Sequence, residues 1–268
     1  MTQAPRHLTS GEVEHLLKHL EAVNAVVVGG QALALWCRLF LDRAPEIANA
    51  YSLTSEDLDV YGSAADAQTF AKLLGDAEVH LTPPFDNSPN AAVVTGKIGD
   101  HVVRVDFMRM ILGVDARALK EHFITLTKDD GATGPIRFSL LHPLDCLRSR
   151  LSNINDLRRE GVHAIRSAHA AMLVVDLFVD ELLEAQEFRP AQAALMSLFY
   201  IGRDRCADKA AGRKFKMSPL SILQKYRLDV RLDKRWRSHQ LAGAIKKLHA
   251  KSQRFHENSG AAKSSAES

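Results

Sequence analysis

The chain has 268 residues, 46% of them hydrophobic, so it is long and apolar enough to form one large or two modest folded domains. Its three cysteines, Cys37, Cys146 and Cys206, lie far apart with no C-x-x-C pair, which excludes a disulfide scaffold and favours reduced core thiols. The first twenty residues are charged and amphipathic where a secretory signal would be apolar, and no run of 18 apolar residues occurs. We therefore expect a soluble, cytoplasmic protein with no membrane partner.

The formal net charge of +3 hides an asymmetry along the chain. Residues 201–268 contain 17 Lys or Arg and 6 Asp or Glu, a net charge of +11, whereas residues 1–200 contain 18 and 26, a net charge of −8. Within the basic region 201–256, cations are interleaved with aromatic side chains, a pattern suited to RNA backbone and stacked bases. A solvated helical surface is the alternative interpretation.

The first part of the chain alternates between strand and helix patterns. Thr9 and Glu12 match a capping box, and Gly29-Gly30 separates a β-branched run from a long apolar helix pattern. The further elements predicted in this part are a helix over 11–22, the strand 57–62, a helix over 64–75, a strand over 77–82 and a proline-rich loop over 83–90. Two β runs around Gly99-Asp100 predict an antiparallel hairpin.

The rest of the mixed part is predicted as a short helix near 115–121, strands at 123–127 and 135–140, and a turn at 129–134. From Pro143 onward the pattern is helical, with candidate helices at 162–186, 190–207, 219–228 and 233–255. The sequence thus predicts an α+β protein with a small mixed sheet over 1–141, a helical domain over 142–256 and a disordered tail over 257–268.

Three aspartates lie inside apolar strand patterns. Asp57 and Asp59 are two residues apart, so their side chains project from one face of a strand, and Asp106 alternates with apolar residues in HVVRVDFM. Buried like charges repel unless a cation or donor compensates them. If the two strands are neighbours, the three carboxylates converge, and such a set suits Mg²⁺ with substrate phosphates.

The glycine pair is the second element of this pattern. Gly29 and Gly30 end a strand and begin a helix, where free amides and the positive helix end can bind phosphate. Many such pairs are only tight turns, and many D-x-D sequences are surface features. The order strand, glycine pair, helix, D-x-D strand and single strand aspartate is more specific than any one of them.

The segments GGQALALW, SEDLDVYG, VRVDF and HPLDCLRSRLSNI resemble the nucleotidyltransferase superfamily typified by DNA polymerase β. They are most similar to its abortive-infection (AbiEii-type) toxins, over about residues 24–155. The resemblance implies a nucleotidyltransferase core and two Mg²⁺ ions. It further implies transfer of a nucleoside monophosphate from an NTP to a hydroxyl group, with pyrophosphate released.

The resemblance also assigns roles to residues. It implies that Asp57, Asp59 and Asp106 are the metal ligands and catalytic residues, and that Asp106 helps to activate the acceptor hydroxyl. The residues that it implies for nucleotide binding are Gly29, Gly30, Ser55 and either Arg148 or Arg150. Many members have serine after the first glycine, with its hydroxyl on the phosphate, whereas this chain has Gly30 followed by Gln31. It also departs from them by an insertion over 42–54. That insertion is open to interpretation as a lid, an acceptor-binding loop or a simple excursion.

The resemblance implies RNA, such as a tRNA end, or a protein side chain as acceptor, in a toxin–antitoxin or phage-defence setting with a cognate antitoxin protein as partner. The basic C-terminal region favours RNA. A first alternative is an enzyme that modifies small molecules such as aminoglycosides, although a basic helical domain is poorly suited to a polycation. A second is a non-catalytic nucleotide-binding or partner-binding regulator that keeps the fold.

Overall fold

The computed structural model describes residues 6–50, 55–83, 85–117, 119, 122–128, 135–159, 161–204 and 218–251. The chain divides into two compact units, Met1–Asn153 and Ile154–Ser268. We call them the sheet unit and the helical unit and describe each by itself. The predicted tail over 257–268, the turn over 129–134 and Cys206 lie outside the described residues.

The sheet unit contains one mixed sheet of seven strands in the order β3-β4-β5-β2-β1-β7-β6. The strands are β1 Val26–Val27, β2 Leu58–Tyr61, β3 Glu78–Leu81, β4 Asn90–Ile98, β5 His101–Met108, β6 Phe123–Lys128 and β7 Ile136–Leu141. Strands β4 and β5 form the antiparallel hairpin predicted around Gly99. The class is α+β, as the sequence predicts.

The helices of this unit match the predicted patterns except for α3, which the sequence did not predict. They are α1 Ser10–Leu20, α2 Gly29–Leu39, α3 Glu46–Ala50, α4 Ala64–Leu74 and α5 Pro143–Asn155. Capping boxes formed by Thr9 with Glu12 and by Ser63 with Asp66 satisfy backbone donors at the starts of α1 and α4. The short helix α3 occupies part of the 42–54 insertion, and its Ile47 is fully buried, which anchors that segment to the core.

The core of the sheet unit lies between the apolar face of the sheet and these helices. Phe70 of α4 packs on Phe107 of β5 with ring centroids 5.7 Å apart, and both side chains are fully buried. Trp36 of α2 donates its indole N–H to the backbone oxygen of Leu141 at 2.9 Å. Cys37 and Cys146 are buried and free, as predicted, and burial raises the pKa of each thiol to about 12.

The boundary between the units differs from the predicted boundary at residue 141. Helix α5 packs on the sheet unit, because Gly113, with φ of +79°, lies against Ser152 and the backbone of Arg148. The unit therefore extends to Asn153. Sequence periodicity marked α5 as helical but carried no information about which unit its face contacts.

The helical unit consists of α6 Val162–Glu184, α7 Phe188–Asp204, α8 Pro219–Arg227 and a short α9, Lys234–Trp236, that runs into a π-helical turn, Arg237–Leu241. The helix then continues to residue 251. Tyr226 of α8 is fully buried and donates its hydroxyl to the backbone oxygen of Asp176 at 2.7 Å. This bond ties α8 to α6.

Among the described residues, α6 is the one helix long and apolar enough to cross a membrane. Half of its most apolar stretch is buried inside the fold, and a core helix of a soluble protein has the same length and composition.

Candidate metal centre

The register of two parallel strands brings the predicted carboxylates together. Strand β2 pairs in parallel with β5, so that Asp59 lies directly beside Asp106. Asp57 precedes β2 by one residue. The prediction depended on these two strands being neighbours, and they are. We call Asp57, Asp59 and Asp106 the acid cluster.

The spacing of the acid cluster suits one or more cations. One carboxylate oxygen from each aspartate lies within 4.8 Å of the others. Two oxygens on opposite sides of a single Mg²⁺ lie about 4.2 Å apart, so small side-chain rotations suffice for shared ligation. Asp106 is buried, at 7% exposure, whereas Asp57 and Asp59 are half-buried and reachable from solvent. The acid cluster could therefore hold a metal ion.

The glycine turn lies against one of these carboxylates. Gly29 has φ of +63°, and a Cβ at this position would collide with the carboxylate of Asp59. The backbone N–H of Gly30 donates a hydrogen bond to the same carboxylate. Glycine is thus needed at position 29 for two reasons, the left-handed backbone and the close approach of Asp59.

Within the acid cluster, burial and neighbouring charges disfavour the ionised form of Asp59. Burial, together with repulsion from Asp57 and Asp106, raises the pKa of Asp59 to about 6, against the opposing effects of Arg150 and the Gly30 amide. At neutral pH this carboxylate is mostly ionised in a place that disfavours the charge. A divalent cation would relieve that repulsion, and the donor set, three hard carboxylate oxygens, fits Mg²⁺.

Side chains around the acid cluster orient its carboxylates. Ser55 donates its hydroxyl to Asp57 Oδ1 at 3.3 Å. Arg104 forms a bidentate pair with Asp106, with Nε 2.7 Å from Oδ1 and Nη2 2.9 Å from Oδ2, and Asn90 Nδ2 lies 3.2 Å from Oδ2. Sequence analysis missed Arg104 and Asn90. The spacing of Arg104 two residues before Asp106 was a signal for the first, whereas Asn90 depends on strand pairing.

The two candidate arginines of α5 have different surroundings. Arg148 forms an ion pair with Asp145 at 2.8 Å. The charge of Arg150 acts on Asp59 and on Cys146. Of the two alternatives, Arg150 is the one beside the acid cluster, and Arg148 is engaged with a buried carboxylate on its own helix.

Gln31 does not replace the serine contact expected at the glycine turn. Its side chain is 1% exposed, and neither amide atom has a hydrogen-bond partner among the described residues. A side chain enclosed in this way presents no group to a bound phosphate. Apart from the Gly30 N–H, which donates to Asp59, the N–H groups at the start of α2 are then the phosphate donors that this turn offers.

A cavity of about 820 Å³ opens at the far end of β2, around Tyr61, Gly62 and Ser63. Arg109 and Arg137 are among its lining residues, and the acid cluster is not. Its volume would admit a small molecule. The chemistry of the acid cluster therefore lies outside this enclosed space.

A scan against protein-family models, a search of curated proteins and a search of solved structures find no match to this chain. The geometry of the acid cluster and of the glycine turn is what supports a function.

Proposed function

We propose that the protein is a Mg²⁺-dependent nucleotidyltransferase that moves a nucleoside monophosphate from an NTP to a hydroxyl acceptor, with the sheet unit as its nucleotidyltransferase core. One observation carries the proposal. Three carboxylates, two of them at and just before the start of β2 and the third on the parallel strand β5, meet within 4.8 Å against a glycine turn that begins a helix. Arg104 pairs with Asp106, yet burial and repulsion from the neighbouring carboxylates still raise the pKa of Asp59, as expected for a ligand set for cations.

Asp57, Asp59 and Asp106 are the residues that would hold the ions. Two Mg²⁺ ions held there would supply charge neutralisation at the phosphates and alignment of the attacking and leaving oxygens. Ser55 holds the carboxylate of Asp57 in place through its hydroxyl. Gly30 does the same for Asp59 through its backbone amide.

The triphosphate is bound by groups next to these carboxylates. N–H groups in the first turn of α2 point out of the helix start, where the helix dipole also favours an anion. Arg150 adds a positive charge on the same side as Asp59. A guanidinium suits phosphate because it can donate two parallel hydrogen bonds.

In the reaction, the acceptor oxygen forms a bond to the α-phosphorus, and the bond from that phosphorus to the bridging oxygen of the β-phosphate breaks. Pyrophosphate leaves with the electron pair of that bond, and the hydroxyl proton passes to a carboxylate of the acid cluster and then to water. The chain contributes mainly positioning and fixed charge to this step.

RNA is the acceptor that the charge distribution favours. Residues 218–251 contain nine Lys or Arg and two Asp, and Lys234, Arg235, Lys246 and Lys247 are exposed. A basic surface attracts a polyanion and repels a polycationic antibiotic. We therefore propose an RNA acceptor, such as a tRNA end, in a toxin–antitoxin or phage-defence setting with an antitoxin protein as partner.

The test is incubation of the full chain with Mg²⁺, total RNA and each α-³²P-labelled NTP in turn. We expect label in RNA with the wild type and none with Asp57→Ala, while Asp176→Ala, which alters a carboxylate of the helical unit, still labels RNA. Label on an added aminoglycoside instead of RNA would select the small-molecule enzyme. Failure of NTP and Mg²⁺ to bind in calorimetry would contradict the proposal and favour a partner-binding regulator without catalysis.

A further inference from the structure

Arg104 binds the third carboxylate of the acid cluster, that of Asp106. Its guanidinium donates hydrogen bonds to both oxygens of Asp106, at 2.7 and 2.9 Å. Asn90 Nδ2 donates a further hydrogen bond to Oδ2 at 3.2 Å. A carboxylate offers about four acceptor positions, so roughly one of the four is left for another ligand.

This arrangement places the guanidinium of Arg104 on the solvent side of the Asp106 carboxylate. The side chain of Asp106 is 10% exposed, whereas that of Arg104 is 55% exposed. The guanidinium thus has room to move away without disturbing the core, and the carboxylate does not.

Arg104 serves the whole acid cluster as a counter-ion. Its hydrogen bonds to Asp106, and then the charges of Asp57 and Asp59, raise the pKa of its guanidinium. A divalent cation and this guanidinium are therefore attracted to the same place, and the two repel each other. The divalent cation and the guanidinium therefore weaken each other's binding to the oxygens of Asp106.

We propose that Arg104 is an internal cation that competes with the divalent metal ion for Asp106, and that it moves to the phosphates of the nucleotide when the metal binds. The inference rests on the proposed nucleotidyltransferase function. Arg104 is then a positioning residue that couples metal binding to nucleotide binding. Without nucleotide the guanidinium holds Asp106, and with nucleotide it has a second anion to pair with.

The test measures Mn²⁺ binding to the full chain by the electron paramagnetic resonance signal of the free ion, with and without a non-hydrolysable NTP analogue. Without nucleotide, we expect Arg104→Gln to bind Mn²⁺ about 10-fold more tightly than the wild type, because the competing cation is gone. Arg104→Lys, which keeps the charge but not the bidentate fork, should lie between the two. With the analogue present, the advantage of Arg104→Gln should disappear, since the variant lacks the phosphate contact.

Arg137→Gln is the matched control, because it removes the same charge from an exposed position on β7 of the same unit. Equal Mn²⁺ affinity of Arg104→Gln and wild type, or an equal gain in Arg137→Gln, would overturn the inference. If RNA labelling by the wild type is intact in that case, the nucleotidyltransferase proposal stands and only the role of Arg104 falls. Absence of Mn²⁺ binding in the wild type and in both Arg104 variants would overturn the two proposals together.

Discussion

The two units treat closely spaced aspartates in opposite ways. In the sheet unit, Asp57, Asp59 and Asp106 meet one another, and although Arg104 pairs with Asp106, burial together with repulsion from the other two carboxylates raises the pKa of Asp59 to about 6. In the helical unit, Asp176 pairs with Lys225 at 2.8 Å, and Arg231 pairs with Asp180 at 2.5 Å and Asp229 at 2.6 Å. Carboxylates that find cations hold a fold together. Carboxylates that face each other leave a negative site for a ligand.

The largest expected effect is on nucleotidyl transfer. Asp106→Asn should lower the rate of label transfer to RNA about 100-fold or more, because a ligand is lost where even supporting residues typically change metal affinity about 10- to 100-fold. Asp180→Asn, the counterpart in the helical unit, should change the rate by less than about 3-fold, since it removes only an ion pair. A similar loss in both variants would remove the functional distinction between the two groups.

The second effect concerns stability and has opposite signs in the two units. Asp59→Asn should raise the free energy of unfolding at pH 7 without metal by about 2 kcal/mol, because it removes a carboxylate whose pKa is raised by folding. Asp180→Asn should lower it by about 0.5 kcal/mol, since a partly exposed ion pair is lost. Urea denaturation checks both values.

The sign of the Asp59 effect follows from its pKa. Because the folded-state pKa of about 6 exceeds the ordinary value of 3.8, the ionised side chain destabilises the fold once the pH passes that ordinary value. The advantage of Asp59→Asn should be absent below about pH 4, grow between about pH 4 and 6, and stay constant above that range. An advantage that persists at low pH would show that its origin is not this charge.

The third effect is a pH dependence of metal binding. Below the Asp59 pKa of about 6, a metal ion must displace a proton, so Mn²⁺ affinity should fall about 10-fold for each further pH unit. In Asp59→Asn this component should vanish. Mn²⁺ titrations from pH 5 to 7 test it, and a flat profile in the wild type would contradict the placement of Asp59 among the ligands.

The smallest effect tests the helical unit alone. Tyr226→Phe should lower the free energy of unfolding by about 1 kcal/mol, because the hydrogen bond from its buried hydroxyl group to the backbone oxygen of Asp176 is lost. Tyr200→Phe is the control, since that side chain is 45% exposed and its change should be close to zero. Equal effects in urea denaturation would mean that the bond between α8 and α6 contributes nothing.

Much of the candidate site was predictable from local patterns. Side-chain alternation placed Asp57 and Asp59 on the same face of one strand and Asp106 within a second strand. The glycine pair at 29 and 30 marked the strand-to-helix turn. These are properties of consecutive residues, which one sequence displays directly. Arg104 lies on the same strand face as Asp106, but its two hydrogen bonds to that carboxylate depend on a side-chain rotamer that residue spacing in the sequence does not reveal.

Other features depend on contacts between distant segments. The choice between Arg148 and Arg150 follows from how α5 lies on the sheet unit, and the position of Asn90 beside Asp106 follows from the pairing of β4 with β5. The enclosure of Gln31 and the extension of the sheet unit to Asn153 have the same origin.

The sequence alone determined the order of elements, the α+β class and the three aspartates, because side-chain periodicity and turn chemistry are local. Only the tertiary structure decided that the acid cluster converges within 4.8 Å and that Arg104 covers Asp106, because strand order and register bring together residues that the chain separates. Charge interactions fall off with distance, so the same aspartates become a metal site or a set of ion pairs according to which side chains the fold places beside them.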